Sequence, residues 1–193
     1  MPANVKFNPE KVAYYEKAGW EAYYDRQWLR CFRLLVQLNR EQFRMSPWTA
    51  LTAALDTVRA SIAFAPVDND IPKATLALER FYAKARQSLK IAAEAKTLAA
   101  LEMDYWLVHR QLAVRRQQNQ TDEDIEPMIA SLTKLHAALF AGAPEAMRRS
   151  AEWRALAAKT VDRITGRYST NVPEDWRQVE EYLRKAYQAV DMA

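Results

Sequence analysis

The chain has 193 residues and a formal net charge of +4, and half of its residues are hydrophobic, so it can bury a substantial core. Three glycines are too few for glycine-rich phosphate loops or β-hairpin turns, and the absence of GxGxxG and GxxxxGK[ST] argues against the common nucleotide-binding folds. The single cysteine, Cys31, excludes an intrachain disulfide, and the N-terminal residues lack the apolar segment of a signal peptide. We therefore expect a cytoplasmic protein that does not enter a membrane.

Apolar residues recur every three or four positions along most of the chain, which predicts an all-α fold of about seven amphipathic helices. The long first helix carries aromatic residues around most of its circumference, which predicts that it is largely enclosed, and Gly19 is a position where it bends. The predicted spans run from Pro9 to about Met45, from Pro47 to the segment APVDNDIP, from Asp70 to about residue 88, over about 91–117, from the segment TDED to Ala141, from Pro144 to Gly166, and from just before Pro173 onward.

The connections between the predicted helices are short, which favours an antiparallel helical bundle. We expect a single helical domain over residues 1–193. The polar segment 116–124 is the predicted seam between two sub-lobes, a main bundle over 1–117 and the C-terminal helices over 118–193.

The stretch LEMDYWLVHR, residues 101–110, contains the strongest candidate for a site. At helical spacing Glu102, Trp106 and His109 share one strip beside the apolar spine of the fourth helix, to which Tyr105 belongs. A carboxylate and an imidazole in such a place must find partners, because burying them unpaired costs on the order of several kcal/mol. The strip therefore predicts a pocket or a buried polar network.

Two interpretations of this strip stay open. In the first, its carboxylate and imidazole line a cavity and act as acid–base or ligand groups, together with carboxylates of the first helix such as Glu21 or Asp25. In the second, the carboxylate pairs with an arginine such as Arg26 or Arg59, and the imidazole is a hydrogen-bonded edge of the core.

Metal and nucleophilic chemistry find little support in the sequence. The residues three before His109 and His136 are Trp and Thr, so neither helix has the Glu-x-x-His motif of di-iron bundles. The loop PVDND, residues 66–70, lacks the further oxygens of an EF-hand and is explained by a turn and a helix cap. No GxSxG motif occurs, and Cys31 has no histidine near it in sequence. We expect no metal or cofactor and assign no catalytic residue.

Basic residues follow single faces of three predicted helices, which suits a phosphate backbone if those faces align in the fold. No helix-turn-helix, zinc-finger or RNP motif is present, so the predicted binding is independent of base sequence. The candidate contacts are Arg26, Arg30, Arg33, Arg40 and Arg44 of the first helix, Lys73, Arg80 and Lys84 of the third, and Arg148, Lys159, Arg163 and Arg167 of the sixth.

Three functions are consistent with these features. The first is a non-enzymatic interaction subunit that joins other protein subunits through an aromatic and arginine-rich face and contacts nucleic acid. By architecture such a chain is similar to the small helical subunits of nucleoprotein complexes, including CRISPR effector complexes. The second is a small-molecule-binding bundle or enzyme with an aromatic pocket around Glu102, Tyr105, Trp106 and His109. The third is a homo-oligomeric scaffold.

Overall fold

The computed structural model describes residues 7–119 and 124–191, and every regular element in these ranges is an α-helix, which confirms the predicted all-α class. The eight helices are α1 (Pro9–Tyr24), α2 (Trp28–Gln42), α3 (Pro47–Phe64), α4 (Ile71–Leu89), α5 (Ala95–Asn119), α6 (Glu126–Phe140), α7 (Pro144–Thr165) and α8 (Val172–Asp191). In these ranges no helix has an apolar stretch of the length and hydropathy needed to cross a bilayer.

Side-chain caps set the beginnings of α3 and α4 where the sequence predicted them. The Ser46 hydroxyl accepts a hydrogen bond from the Thr49 backbone N–H at 3.2 Å, directly before the first-turn proline of α3. The Asp70 carboxylate accepts one from the Lys73 N–H at 3.0 Å and so caps α4. Each cap satisfies a backbone donor that has no partner within the helix, and both predicted caps are confirmed.

Two helices replace the single N-terminal helix predicted to about Met45, which raises the count from about seven to eight. The break is at Arg26, whose φ of 59° is left-handed, and the Gln27 N–H donates to the Ala22 carbonyl at 2.8 Å. This is the bond of a Schellman motif, which normally uses glycine at the left-handed position. Because an arginine occupies that position, the sequence carries no signal for the break. Gly19, the predicted bend, lies inside α1.

The helices form a closed ring. Each helix packs against its neighbours along the chain, and α8 packs back against α1. Helices of both predicted sub-lobes contribute to one cluster of buried hydrophobic residues. The predicted seam at 116–124 lies partly outside the described residues. The ring places the inward faces of helices that are distant in sequence opposite one another.

Side-chain size differs around this ring. Buried positions of α1, α3 and α4 are mostly alanine, which lets those helices approach closely. The five largest fully buried side chains of the described residues, Leu98, Met128, Leu132, Met147 and Leu183, belong to α5 through α8. The prediction that the N-terminal helix is largely enclosed is wrong, because Tyr14, Trp28 and other aromatic residues there are exposed. In the N-terminal part small residues occupy the contacts between helices, and aromatic side chains lie outside those contacts.

Candidate functional site

A cavity of about 540 Å³ lies inside the helical ring, and all eight helices contribute to its wall. Its volume falls within the roughly 300–1,000 Å³ that is typical of small-molecule sites. The wall is rich in aromatic side chains, which are Tyr15, Trp20, Tyr23, Tyr24, Phe43, Phe64, Phe81, Tyr82, Tyr105, Trp106, Phe140 and Tyr187. Aromatic walls of this kind offer both apolar contact and the negative faces of π systems to a ligand.

The strip predicted on residues 101–110 faces this cavity. Glu102, Tyr105, Trp106 and His109, all on α5, belong to its wall. The indole N–H of Trp106 donates to Glu102 Oε1 at 2.7 Å, one helical turn along α5. The hydroxyl of Tyr82, on α4, donates to Glu102 Oε2 at 2.9 Å. The carboxylate is therefore held in place by two neutral donors.

The arginines proposed as partners of this carboxylate lie elsewhere. Arg59 forms an ion pair with Asp56 at 3.2 Å, and Arg26 is exposed at the junction of α1 and α2. Among the described residues no cationic group lies within ion-pairing distance, 4.0 Å, of the Glu102 carboxylate. Burial raises the pKa of Glu102, against the opposing effect of the Arg154 guanidinium.

A second carboxylate reaches the cavity from α1. Glu16, 6% exposed, forms an ion pair with Arg154 of α7 at 2.6 Å between Oε1 and Nη1, and its Oε2 accepts a hydrogen bond from the Tyr187 hydroxyl at 2.5 Å. Burial opposes the charge of Arg154, yet Glu16, followed by Tyr187, Tyr105 and Glu102, outweighs it, so the pKa of Arg154 is raised. We call Glu16, Glu102 and Arg154 the Arg154 cluster. It holds two carboxylates for one guanidinium.

The other charged group of the wall is centred on Asp162 of α7. His109 Nε2 lies 2.9 Å from Asp162 Oδ1, and the Arg116 guanidinium forms an ion pair with Asp162 Oδ2. Arg116 is 3% exposed, and its Nε and Nη2 have no hydrogen-bond partner among the described residues. The Tyr105 ring stacks on the His109 ring at 5.8 Å between centroids. We call Asp162, Arg116 and His109 the Asp162 cluster. Its one carboxylate serves two basic side chains.

The second histidine of the chain is also in the wall. The Nδ1 atom of His136 lies 3.0 Å from the Ser150 hydroxyl, and both residues are buried. Burial, assisted by the charge of Arg154, lowers the pKa of His136 to about 3. At neutral pH the imidazole is uncharged, so it adds no positive charge to the neighbourhood of the two carboxylates.

Gly19 opens space in the wall. It is buried within α1 and belongs to the lining of the cavity, and a Cβ atom built on it would meet no atom within 4 Å apart from its chain neighbours and the backbone of its own helix. Glycine inside a helix costs roughly 1 kcal/mol relative to alanine. The conformation at this position does not require glycine, since its φ is not left-handed. What the missing side chain provides is cavity volume.

The basic residues predicted to bind a phosphate backbone are distributed over the ring. Arg30, Arg33 and Arg40 are exposed and follow one face of α2. Three of the others are held in ion pairs, namely Lys84 with Asp56, Arg148 with Glu126 and Arg163 with Asp175.

The helices that carry these residues are not neighbours. The segments are α2 with Arg26 and Arg44 at its flanks, α4 with Lys73, Arg80 and Lys84, and α7 with Arg148, Lys159, Arg163 and, just beyond it, Arg167. The ring places α3 between α2 and α4, and α7 packs mainly on α6 and α8. Direct packing therefore does not join the three predicted faces.

Within residues 7–119 and 124–191, no group of three or more His, Cys, Asp or Glu side chains is arranged to hold a metal ion. Comparison with known proteins gives no match to a family model, to a curated protein or to a solved structure.

Proposed function

We propose that this protein binds a small organic molecule in the central cavity. The observation that carries the proposal is the construction of the wall, where polar side chains from α1, α5 and α7 converge within an aromatic lining. A few fixed polar groups in an apolar, concave setting are the usual composition of a ligand site. The absence of a side chain at Gly19 supports the same conclusion, because filling that space with alanine would favour the helix.

The test is direct binding of a neutral fluorescent probe, 1-aminoanthracene, whose emission rises in apolar surroundings. We expect saturable binding of one probe molecule per chain. Substituting Gly19 with Ala, Leu and Phe should weaken binding in that order, because each side chain fills more of the cavity. Circular dichroism and thermal melting verify that each variant is folded.

Ala83 offers a matched control, since it is exposed on α4 and lies outside the cavity lining. The same Leu and Phe side chains placed there should leave probe affinity unchanged. If the wild-type protein does not bind the probe, or if the Gly19 variants bind it as tightly as the wild type, the proposed function is wrong.

A second candidate function rests on the surface of α2. Trp28 and Leu29 are 58% and 79% exposed and lie between Arg26 and Arg30, an arrangement of aromatic, apolar and arginine side chains that is common in interfaces. This supports the proposal of an interaction subunit that contacts nucleic-acid backbone through α2. Contacts of this kind release counterions from the phosphates. The affinity therefore falls steeply as the salt concentration rises.

Fluorescence anisotropy with labelled single-stranded and duplex oligonucleotides would test this candidate. We expect affinity that falls with salt, ignores base sequence and is lost in the variant R30Q/R33Q/R40Q. Substituting Arg177, an exposed basic residue of α8, provides a control with part of the same change in charge. Affinity that is absent, or that stays flat from low to physiological salt, would reject this candidate and leave the cavity proposal untouched.

A further inference from the structure

The Arg154 cluster is short of one positive charge. Its guanidinium is committed to Glu16 at 2.6 Å, while Glu102 accepts hydrogen bonds only from the neutral donors Tyr82 and Trp106. The nearby imidazole of His136 is uncharged at neutral pH. Buried charges in proteins are normally compensated, because desolvation of a lone carboxylate is costly. Glu102 therefore either retains a proton or receives a cation from outside the chain.

The surroundings of Glu102 suit an organic cation. The Trp106 indole, which binds Glu102, packs on Phe64 with 5.2 Å between ring centroids. The wall already holds cations over aromatic faces, since the Arg110 guanidinium lies 3.9 Å from the Phe64 ring centre and that of Arg154 lies 5.6 Å from the Trp20 ring centre. Aromatic faces next to a carboxylate are the usual means of binding ammonium groups.

A further acceptor is available at the same wall. Tyr105 is 5% exposed and lines the cavity, yet its hydroxyl makes no hydrogen bond to another side chain or backbone group in the described part of the chain. Burial is the main cause of a raised pKa for this phenol, so the group stays neutral. A phenol oxygen in this state can accept a hydrogen bond from an N–H donor. Tyr105 and Glu102 thus form a pair of hydrogen-bond acceptors, and neither of them accepts from a positively charged donor within the ranges that the structure describes.

We propose that the ligand of the cavity is an organic amine with an apolar body, bound as its ammonium form between the Glu102 carboxylate and the aromatic wall. This inference rests on the proposed function, because it names the chemical class of the molecule that the cavity takes. Ammonium compensates the second carboxylate of the Arg154 cluster, and the aromatic wall receives the body. A carboxylate ligand would instead add a third negative group to a cluster with one guanidinium.

Three compounds that share one body and differ in charge at the head provide the test: 4-phenylbutylamine, 4-phenyl-1-butanol and 4-phenylbutyrate. Each is used at neutral pH to displace 1-aminoanthracene from the full chain. We expect the amine to displace the probe at a concentration about tenfold lower than the alcohol, since a hydrogen bond to a charged group is worth that much or more. The butyrate should be the weakest of the three.

The variant Glu102→Gln should remove the advantage of the amine and leave displacement by the alcohol unchanged. Glutamine keeps the shape and can still accept from Trp106, so the fold is preserved. Glu145→Gln is the matched control, because it removes the same charge from an exposed position outside the cavity lining. Only the Glu102 variant should lose about tenfold in amine affinity.

The outcomes separate this inference from the function on which it rests. If the probe binds and the butyrate or the alcohol displaces it better than the amine, the ligand class is wrong and the cavity remains a binding site. The same conclusion follows if Glu102→Gln leaves the amine unaffected. If the probe does not bind the wild-type cavity at all, the proposed function itself fails.

Discussion

The two charged clusters of the cavity wall have opposite stoichiometries. In the Arg154 cluster the one guanidinium pairs with Glu16 and leaves Glu102 without an ion pair among the described residues, whereas in the Asp162 cluster one carboxylate pairs with a guanidinium and an imidazole. Both clusters draw an arginine or an acid from α7, so the difference does not come from the helix that supports them. The difference between the two clusters shows that charged residues in one protein interior can serve two purposes. The Asp162 cluster joins α5 to α7, and the Arg154 cluster leaves a place for a cation.

The largest expected effect comes from removing the shared acid of the Asp162 cluster. Asp162→Asn leaves the guanidinium of Arg116, which is 3% exposed, without a counter-charge, and a buried charge left in this state costs about 3–5 kcal/mol. Glu102→Gln leaves no cation unpaired and should change the free energy of unfolding far less. Urea denaturation of both variants at pH 7 measures the contrast. Equal losses in the two would show that the clusters do not differ as described.

A second prediction tests whether the His136 imidazole is uncharged in the folded protein and so adds no positive charge to the Arg154 cluster. Its pKa is about 3 in the folded chain against 6.5 in the unfolded chain. As the pH falls below 6.5 the unfolded chain takes up a proton that the folded chain refuses, so the free energy of unfolding falls.

Between pH 6.5 and 4.5 this loss amounts to about 2 kcal/mol, since each pH unit is worth about 1.4 kcal/mol once the unfolded imidazole is fully protonated, and it is half protonated at pH 6.5. In His136→Gln, which keeps an acceptor for the Ser150 hydroxyl, the dependence on pH should be weaker by that amount. Urea denaturation across this pH range measures it. If the variant and the wild type lose stability in parallel, the folded protein takes up a proton on His136 in this pH range, and the imidazole is not held neutral by its surroundings.

A smaller effect of opposite sign belongs to Glu102. Its pKa is raised in the folded chain by burial, so the folded state retains a proton that the unfolded state has released. The wild type therefore loses stability as the pH rises from the unfolded pKa to the folded one. Glu102→Gln lacks this loss, and its stability relative to the wild type should increase over that window. If the difference in the free energy of unfolding between the variant and the wild type stays constant across this pH window, the Glu102 carboxylate does not lack a compensating charge.

The smallest effect concerns the cavity space beside Gly19 of α1. Gly19→Ala should raise the free energy of unfolding by up to about 1 kcal/mol, because alanine favours the helix and its Cβ meets no other atom. The same variant should bind 1-aminoanthracene slightly more weakly. Thermal melting and probe titration measure the two quantities on one sample. A loss of stability would mean that the wall is already filled at Gly19 and that the cavity is smaller than 540 Å³.

The sequence was sufficient to predict local features of the fold and one edge of the candidate site. The caps at Ser46 and Asp70 and the strip that holds Glu102, Trp106 and His109 depend on residues within one or two turns of each other, so periodicity and cap chemistry reveal them. The break at Arg26 escaped prediction, because a left-handed arginine has no compositional signature.

The partners of the predicted strip could not be found in this way. Arg154 and Asp162 lie on a helix that the sequence treats as an amphipathic element with a basic face, and nothing local marks which of its polar residues turn inward. Glu16 was overlooked in favour of Glu21 and Asp25 for the same reason. Such pairings depend on the closure of the ring, which brings together positions as far apart as Glu16 and Tyr187.

The contact between α8 and α1 has a consequence for how the protein is made. Glu16 and Tyr187 are separated by 171 residues, and a ribosome adds about 5–20 residues per second, so the Glu16 carboxylate is synthesised roughly 10–30 s before its hydroxyl partner. Until then the wall of the cavity lacks α8. The aromatic side chains of the wall are therefore exposed to the chaperones that bind a nascent chain. A ligand of the cavity can stabilise this protein only after translation has almost finished.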